Sequence, residues 1–575
     1  MTGPLRLTPA EEAMAAGADG PAVATAMRLV LALARMSRAE RLQKVAGAHI
    51  DACLFHGQAG LDVAERLVAD GGRVRVPTTL NVSSLDLLHP DRYRGDASTA
   101  QSARRLMQAY VALGAEPTWT CAPYQLAARP GLGEHVAWAE SNAIIFANSV
   151  LGARTGRYGD FIDIAAAITG RVPLAGLHLD EPRRGRVVFD VSSLPARLMQ
   201  EDTTWALLGL VVGARTGSLV PVVTGAPRLT EDNLKALGAA AASTGAVAML
   251  HVVGSTPEAG TLERALQGRD PDRVEQVSAA GLLAARQSLA TRTAGPLVGV
   301  NLGTPHFSVA EFAQLRERLA GRRLHPDVDV HVSTGRGVLA QVRQHGWLEE
   351  LESAGVRMVT DTCTYVTPVL RARDGLVLTS SAKWAYYAPG NIGVDVAFAS
   401  LGECVESAVA GRVVTDPDLW AGVAAAQAPS VPATRQAGAG AGTRVLHAGT
   451  ASGPALVLDA PLSFWGGIDP HTGRVVDVHH PQAGVDTAGT VLVLPSARGS
   501  SSSSSVLAEA LRGGTAPAAL LLGEADEILV LGAVAAQEVY GRSCPVLEIG
   551  PAAVATLHTG DRVRVSADGW TRDGA

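Results

Sequence analysis

A chain of 575 residues with 47% apolar and 18% charged residues is too long for one ordinary core and too apolar for disorder, so two or more packed units are expected. Its net charge of -6, with no basic run interleaved with aromatics, argues against a nucleic-acid groove. No apolar run reaches the roughly 18 residues that crossing a bilayer takes, and the amino terminus has no basic-then-apolar signal pattern, so no membrane partner and a cytoplasmic location are expected.

In chain order, residues 11–46 carry helical apolar spacing and lead to His49-Ile50-Asp51. From there to about residue 404 short β-rich runs alternate with helical stretches, which predicts layered α/β structure. Strands are expected at 187–189, 246–253, 297–300, 328–332, 356–359 and 376–378. Their lack of polar alternation suits strands covered on both faces. Ser308-Val309-Ala310-Glu311 has capping-box spacing and predicts a helix running to Leu319. Residues 411–443 shift toward Ala, Gly, Pro and Gln, a linker composition. The expected organisation is therefore a large domain over 1–410, a linker over 411–443 and a small α/β domain over 444–575. In the last, strands are expected at 455–458, 490–494, 518–522, 528–531 and 545–549.

Five cysteines at long intervals do not read as a disulfide framework. Cys53, Cys121 and Cys363 each lie among polar or turn-forming residues. No CxxC pair joins them, and a small buried hydrophobe explains each thiol on its own better than a ligand does. Cys404 and Cys544 read as structural. Only three lysines occur, Lys44, Lys235 and Lys383, so arginine has displaced lysine almost everywhere. Lys383, just after a predicted strand, is favoured as a compact ammonium donor that arginine does not mimic. Glu140-Ser141-Asn142 opens an apolar run and suits either a helix cap or a polar substrate contact. Asn81 lies in a hydroxyl-rich loop that suits a turn equally well. Ser496-Ala497-Arg498-Gly499, then Ser500 to Ser505, join a strand to a helix. Free amides at a helix start favour an anion or an alkoxide, although serines also serve there as plain caps. Pro461 to Pro470 is a Gly-rich loop with Phe464 and Trp465, a contact surface or a local turn.

Leu7-Thr8-Pro9 with Glu11 and Glu12, His49-Ile50-Asp51, Thr120-Cys121-Ala122-Pro123-Tyr124, Glu140-Ser141-Asn142, Pro305-His306, Asp361-Thr362-Cys363 and Lys383 occur in an order that resembles the aconitase X family. Phe464-Trp465-Gly466-Gly467-Ile468-Asp469 and Arg498-Gly499-Ser500-Ser501 extend the resemblance to nearly the whole chain. It implies an aconitase-like, multi-layer α/β large domain closing against a smaller, swivelling β/β/α domain over an iron-sulfur cluster. Family members occur as two subunits or as one fused chain. The fused form is associated with dehydration of cis-3-hydroxy-L-proline, the two-subunit archaeal form with that of mevalonate 5-phosphate. A fused chain thus implies the proline derivative as a small-molecule substrate, and no obligate second subunit.

Carried over residue by residue, the resemblance makes Cys121 and Cys363 cluster ligands and Ser500 the base. It places Asn81, Glu140, Ser141 and Lys383 around the substrate. Thr304 stands where the two-subunit enzymes place a further cysteine, which removes a ligand. The expectation is a [2Fe-2S] cluster, in preference to [3Fe-4S] or [4Fe-4S], held by Cys53, Cys121 and Cys363 with one coordination position open. Ser500 would take the proton alpha to the carboxylate, its alkoxide eased by the helix start and by Lys383, and the product would tautomerise to 1-pyrroline-2-carboxylate. The rivals are a mevalonate 5-phosphate dehydratase, which would want more basic residues than Arg498 and Lys383, a cluster-dependent RNA-binding regulator, which the acidic balance disfavours, and a cluster-free binding protein.

Overall fold

Three parallel strands, in the order Thr78–Leu80, Ala48–Ile50 and Ala137–Trp138, form the first sheet of a computed structural model that describes residues 4–424 and 442–572. A four-stranded parallel sheet follows, ordered His251–Val252, Pro221–Thr224, Val187–Asp190 and Arg273–Gln276. The third sheet has five parallel strands, ordered Val356–Val359, Asp329–Thr334, Leu297–Phe307, Leu376–Thr379 and Asp395–Phe398. Beyond residue 442 a seven-stranded mixed sheet is built around parallel strands Ala451–Val457, Val491–Leu494, Ala519–Leu522 and Val546–Glu548. The architecture is the α/β large part with a smaller α/β part that the resemblance implies. Residues 425–441, most of the expected linker, lie outside the described residues.

The strand Val491–Leu494 is wholly buried on both faces, as are its neighbours Ala519–Leu522, which is why neither shows alternation. One apolar core runs from the first helices through Trp384 and Phe398 to Leu492, Leu494, Leu520 and Leu522, so the small domain is docked through shared core as well as polar contacts. At roughly 1.5–3 kcal/mol per buried side chain of this size, such a seam outweighs its individual hydrogen bonds. The five-stranded sheet keeps a separate core on its other face, with Val300, Val330, Val332 and Phe312.

Local signals fare unevenly. Ser308 caps Val309–Leu319 with the reciprocal Glu311 bond of a capping box. The helical stretch at 11–46 is two helices, Pro9–Ala15 and Pro21–Met36, parted by Gly17 and Gly20 with φ of 84° and 100°. Of the strand expected at 246–253 only His251–Val252 pairs. The strand expected at 528–531 is instead the start of helix Glu527–Tyr540, capped by Asp526. A four-residue apolar run fits either element, and here the cap decides.

The residues of interest follow the carboxyl ends of parallel strands, where open α/β sheets collect ligands. Asp51 follows Ala48–Ile50, Asn81 follows Thr78–Leu80, and Glu140 lies two residues after Ala137–Trp138. Cys363 follows Val356–Val359 and Lys383 follows Leu376–Thr379. Ser500 follows Val491–Leu494 across a turn in which Gly499 has φ 80° and stands too close to Ser463 for any Cβ.

Candidate active site

Two thiols that 241 intervening residues separate in the chain meet: Cys121 Sγ lies 3.9 Å from Cys363 Sγ. The main-chain N–H of His306 donates to Cys121 Sγ at 3.3 Å, and the two sulfurs and a ring nitrogen of His306 lie within 4.8 Å of one another, all buried. Burial raises the Cys363 thiol well above its usual value, and the neighbouring Cys121 thiol adds to this. Burial lowers His306 to about 4, which keeps its imidazole neutral. Beside them Thr304 Oγ1 is buried with no hydrogen-bond partner. Two soft thiols, a neutral imidazole and an unmet hydroxyl form a donor set that can hold an iron-sulfur cluster. Binding would release the thiol protons.

Cys53 does not join this group. Its thiol is turned to the carbonyl of Asn81 at 3.1 Å and to those of Ile50 and Val82. The loops carrying all three cysteines nevertheless converge on residues 80–83. Thr120 N donates to Leu80 O at 3.1 Å and Ser83 N to Asp361 O at 2.7 Å. Asp361, two residues before Cys363, is fixed by two bonds from Arg336. Trp119, Glu140, Phe161 and Asp361 all have positive φ, between 43° and 78°. Strain at non-glycine residues is thus concentrated where ligands and pocket residues are aimed.

Next to the thiols stands a buried ion pair. Lys383 Nζ contacts Glu140 Oε1 and lies 3.4 Å from Ser141 Oγ. Burial opposes the ammonium's charge, but Glu140 outweighs it and raises Lys383 well above the usual lysine value. Glu140 also takes the side-chain amide of Asn142, which donates onward to Cys121 O at 2.8 Å and accepts from Tyr124 OH at 2.6 Å. The pocket charge is thereby tied to the thiol loop. Tyr365 lies 6.0 Å from Lys383 Nζ, and Trp465 of the Gly-rich loop packs edge-on against Tyr365 and Tyr387, so that loop is an interdomain contact. Asn81 donates to Asp51, and its Oδ1 is buried without a partner.

The serine run arrives from the small domain. Ser500, 9% exposed and the least buried of the six, accepts a hydrogen bond from Ser502 N at 3.2 Å. Ser501 donates to Asp51, and Ser505 donates to Asp160. Gly499 and Ser501 line one small cavity with Ser141, whose hydroxyl lies 3.4 Å from Lys383 Nζ. Sequence reading gave Asp51 no role beyond its motif and missed Asp160, the two acids that receive the serines. Burial, with the Glu140 charge, raises Asp51 to about 6. Burial also raises Asp163 to about 7, and it raises Asp160 with help from Asp51. Asp163 takes the N–H groups of Asp51 and Ala52. A signal existed: Asp163 is the one charged residue in the wholly buried helix Ile162–Thr169.

Because the folded chain holds these carboxyl protons to higher pH than the unfolded chain, stability is lost as pH rises from about 4 toward about 7. Thermal unfolding should therefore show a lower midpoint at pH 8 than at pH 5. Asp160→Asn, whose amide oxygen can still accept from the serines, should flatten that difference; an unchanged slope would remove Asp160 from the effect.

Models of the aconitase X first, second, third and swivel domains match residues 4–181, 185–287, 298–410 and 441–572. The chain is 44% identical to a cis-3-hydroxy-L-proline dehydratase of Pseudomonas aeruginosa over 72% of each chain. It is 40% identical to one of Hypocrea jecorina over 71% of this chain and 69% of the relative. A phosphomevalonate dehydratase large subunit of Methanothermobacter thermautotrophicus is 37% identical over 69% of this chain and 97% of its own. The crystal structure of Thermococcus kodakaraensis aconitase X in its holo-form superposes with a TM-score of 0.64 at 31% identity, over 70% of this chain and all of that one.

Proposed function

The chain belongs to the aconitase X family, and we propose that it is a hydro-lyase converting cis-3-hydroxy-L-proline to 1-pyrroline-2-carboxylate and water. The observation that carries this reading is the meeting of Cys121 and Cys363 beside the buried Lys383–Glu140 pair. The substrate follows the two relatives of highest identity described above. We further propose a [2Fe-2S] cluster held by Cys121, Cys363 and Cys53, whose thiol would turn from the Asn81 carbonyl. Both ring nitrogens of His306 already have partners, Thr120 Oγ1 at 3.0 Å and Thr362 O at 3.2 Å, which suits a positioning role. Bound there, the cluster would supply an electron-pair acceptor for the departing 3-hydroxyl.

Ser500 takes the proton alpha to the carboxylate. Its oxygen already accepts the Ser502 N–H, which would carry part of the alkoxide's charge. Lys383, kept protonated by Glu140, places a fixed positive charge where the substrate carboxylate gathers electron density. Asn81 Oδ1, buried and unpartnered, suits the ring nitrogen as an acceptor, and Ser141 adds a hydroxyl beside Lys383. The Cα–H and C3–O bonds break, a C=C bond forms, and the enamine tautomerises to the cyclic imine. Water is the second product.

Mevalonate 5-phosphate fits less well. Lys383, Arg157 and Arg498 are each already paired with a carboxylate, Glu140, Asp526 and Asp477, so none of the three is left over to balance the several negative charges of a phosphorylated acid. Protein purified anaerobically and given each compound should dehydrate the hydroxyproline and leave the phosphate untouched. Turnover of mevalonate 5-phosphate alone would overturn the assignment.

A further inference from the structure

Beside the serine turn a cavity of 380 Å³ is enclosed by Arg157 and Tyr158, the 246–249 segment and small-domain residues 524–527. Its lining includes the exposed Gly176, Ser218 and Ala525, so it opens to solvent. At its inner end Arg157 and Tyr158 also line the small cavity shared by Ser141, Gly499 and Ser501. The two spaces therefore share one residue pair in their walls. Arg157 donates to Asp526 Oδ2 at 2.7 Å and to Gly499 O at 3.1 Å. Among the described residues that line the larger cavity it is the only base, set against Glu524, Asp526 and Glu527.

We infer that this cavity is the access vestibule of the reaction centre, that Arg157 receives the substrate carboxylate at its inner end before it passes to Lys383, and that the acidic wall favours zwitterions over phosphorylated anions. The inference rests on the hydro-lyase reading above and extends it to substrate selection. A guanidinium matches a carboxylate in two parallel bonds, so a substrate carboxylate can compete with Asp526 for Arg157, and Asp526 remains in the wall beside it. A 3-hydroxyproline brings a secondary ammonium as well, net charge zero. A phosphorylated acid brings several negative charges into a partly enclosed space whose carboxylates outnumber its one cation, where repulsion is focused. The bond from Arg157 to Gly499 ties arrival of the carboxylate to the turn that carries Ser500.

Three variants of the full chain, assayed with cis-3-hydroxy-L-proline at pH 8, above the value of about 7 to which burial raises Glu527, test this. Ala246→Trp, which obstructs the cavity away from the thiols, should lower kcat/KM about tenfold with the visible spectrum unchanged. Arg157→Lys should raise KM about tenfold with kcat changed by less than about threefold. Glu524→Lys, on the wall, should leave kcat intact and strengthen inhibition by mevalonate 5-phosphate at least about threefold, an effect that salt should weaken. An active parent whose three variants keep its KM, kcat/KM and inhibition would overturn the vestibule while leaving the hydro-lyase reading standing. A parent inert toward the hydroxyproline would overturn both.

Discussion

Ser500→Ala should lower kcat by about 10³-fold or more while the bound cluster's visible absorption is retained. Removing the hydroxyl deletes the proposed proton acceptor but neither thiol, and it frees the Ser502 N–H at the helix start. The neighbouring serines are a built-in comparison. Ser501 and Ser505 are committed to Asp51 and Asp160, so Ser501→Ala should weaken docking of the small domain. Its loss of activity should be smaller and come with a lower unfolding midpoint. Exchange of the substrate α-proton with solvent separates the two roles: Ser500→Ala should abolish it. Retained exchange would assign the base elsewhere in the run.

Cys363→Ser should abolish both bound iron and turnover. A serine oxygen is a harder donor, and it would leave Cys121 without the sulfur that faces it at 3.9 Å. Cys404→Ser and Cys544→Ser should keep the iron, since both thiols are buried against backbone carbonyls and neither belongs to the Cys121–His306–Cys363 group. Cys53→Ser carries the finer point. Iron is lost if its thiol completes the set, whereas retention would make His306 the third donor.

Much of the architecture was legible because strands covered on both faces announce themselves as short Val- and Leu-rich runs bounded by turns, as at 356–359 and 491–494. The helix at Glu527–Tyr540 was not, since Ile528 to Leu531 fits either element and only the tertiary setting decides. Within the site, scarcity pointed to Lys383, and the ordered motifs pointed to Cys121, Cys363, Glu140 and Ser141. Asp160 and Asp163 escaped attention, and Asp51 drew it only as part of a motif, because acids are common and the role of Asp51 and Asp160 comes from burial against a serine run more than 300 residues away, a pairing no local pattern encodes. The Cys53 thiol shows the converse: its loop reaches the segment that also receives the loops of the other two cysteines, yet which way the sulfur points is a rotamer choice that sequence does not specify.

The most direct measurement is iron and acid-labile sulfide in protein purified without oxygen, parent beside Cys121→Ser and Cys363→Ser. Iron and sulfide in equal amounts in the parent, lost from both variants together with turnover, is the predicted result. A parent that dehydrates the hydroxyproline with neither element bound, or variants that keep both, would contradict the account.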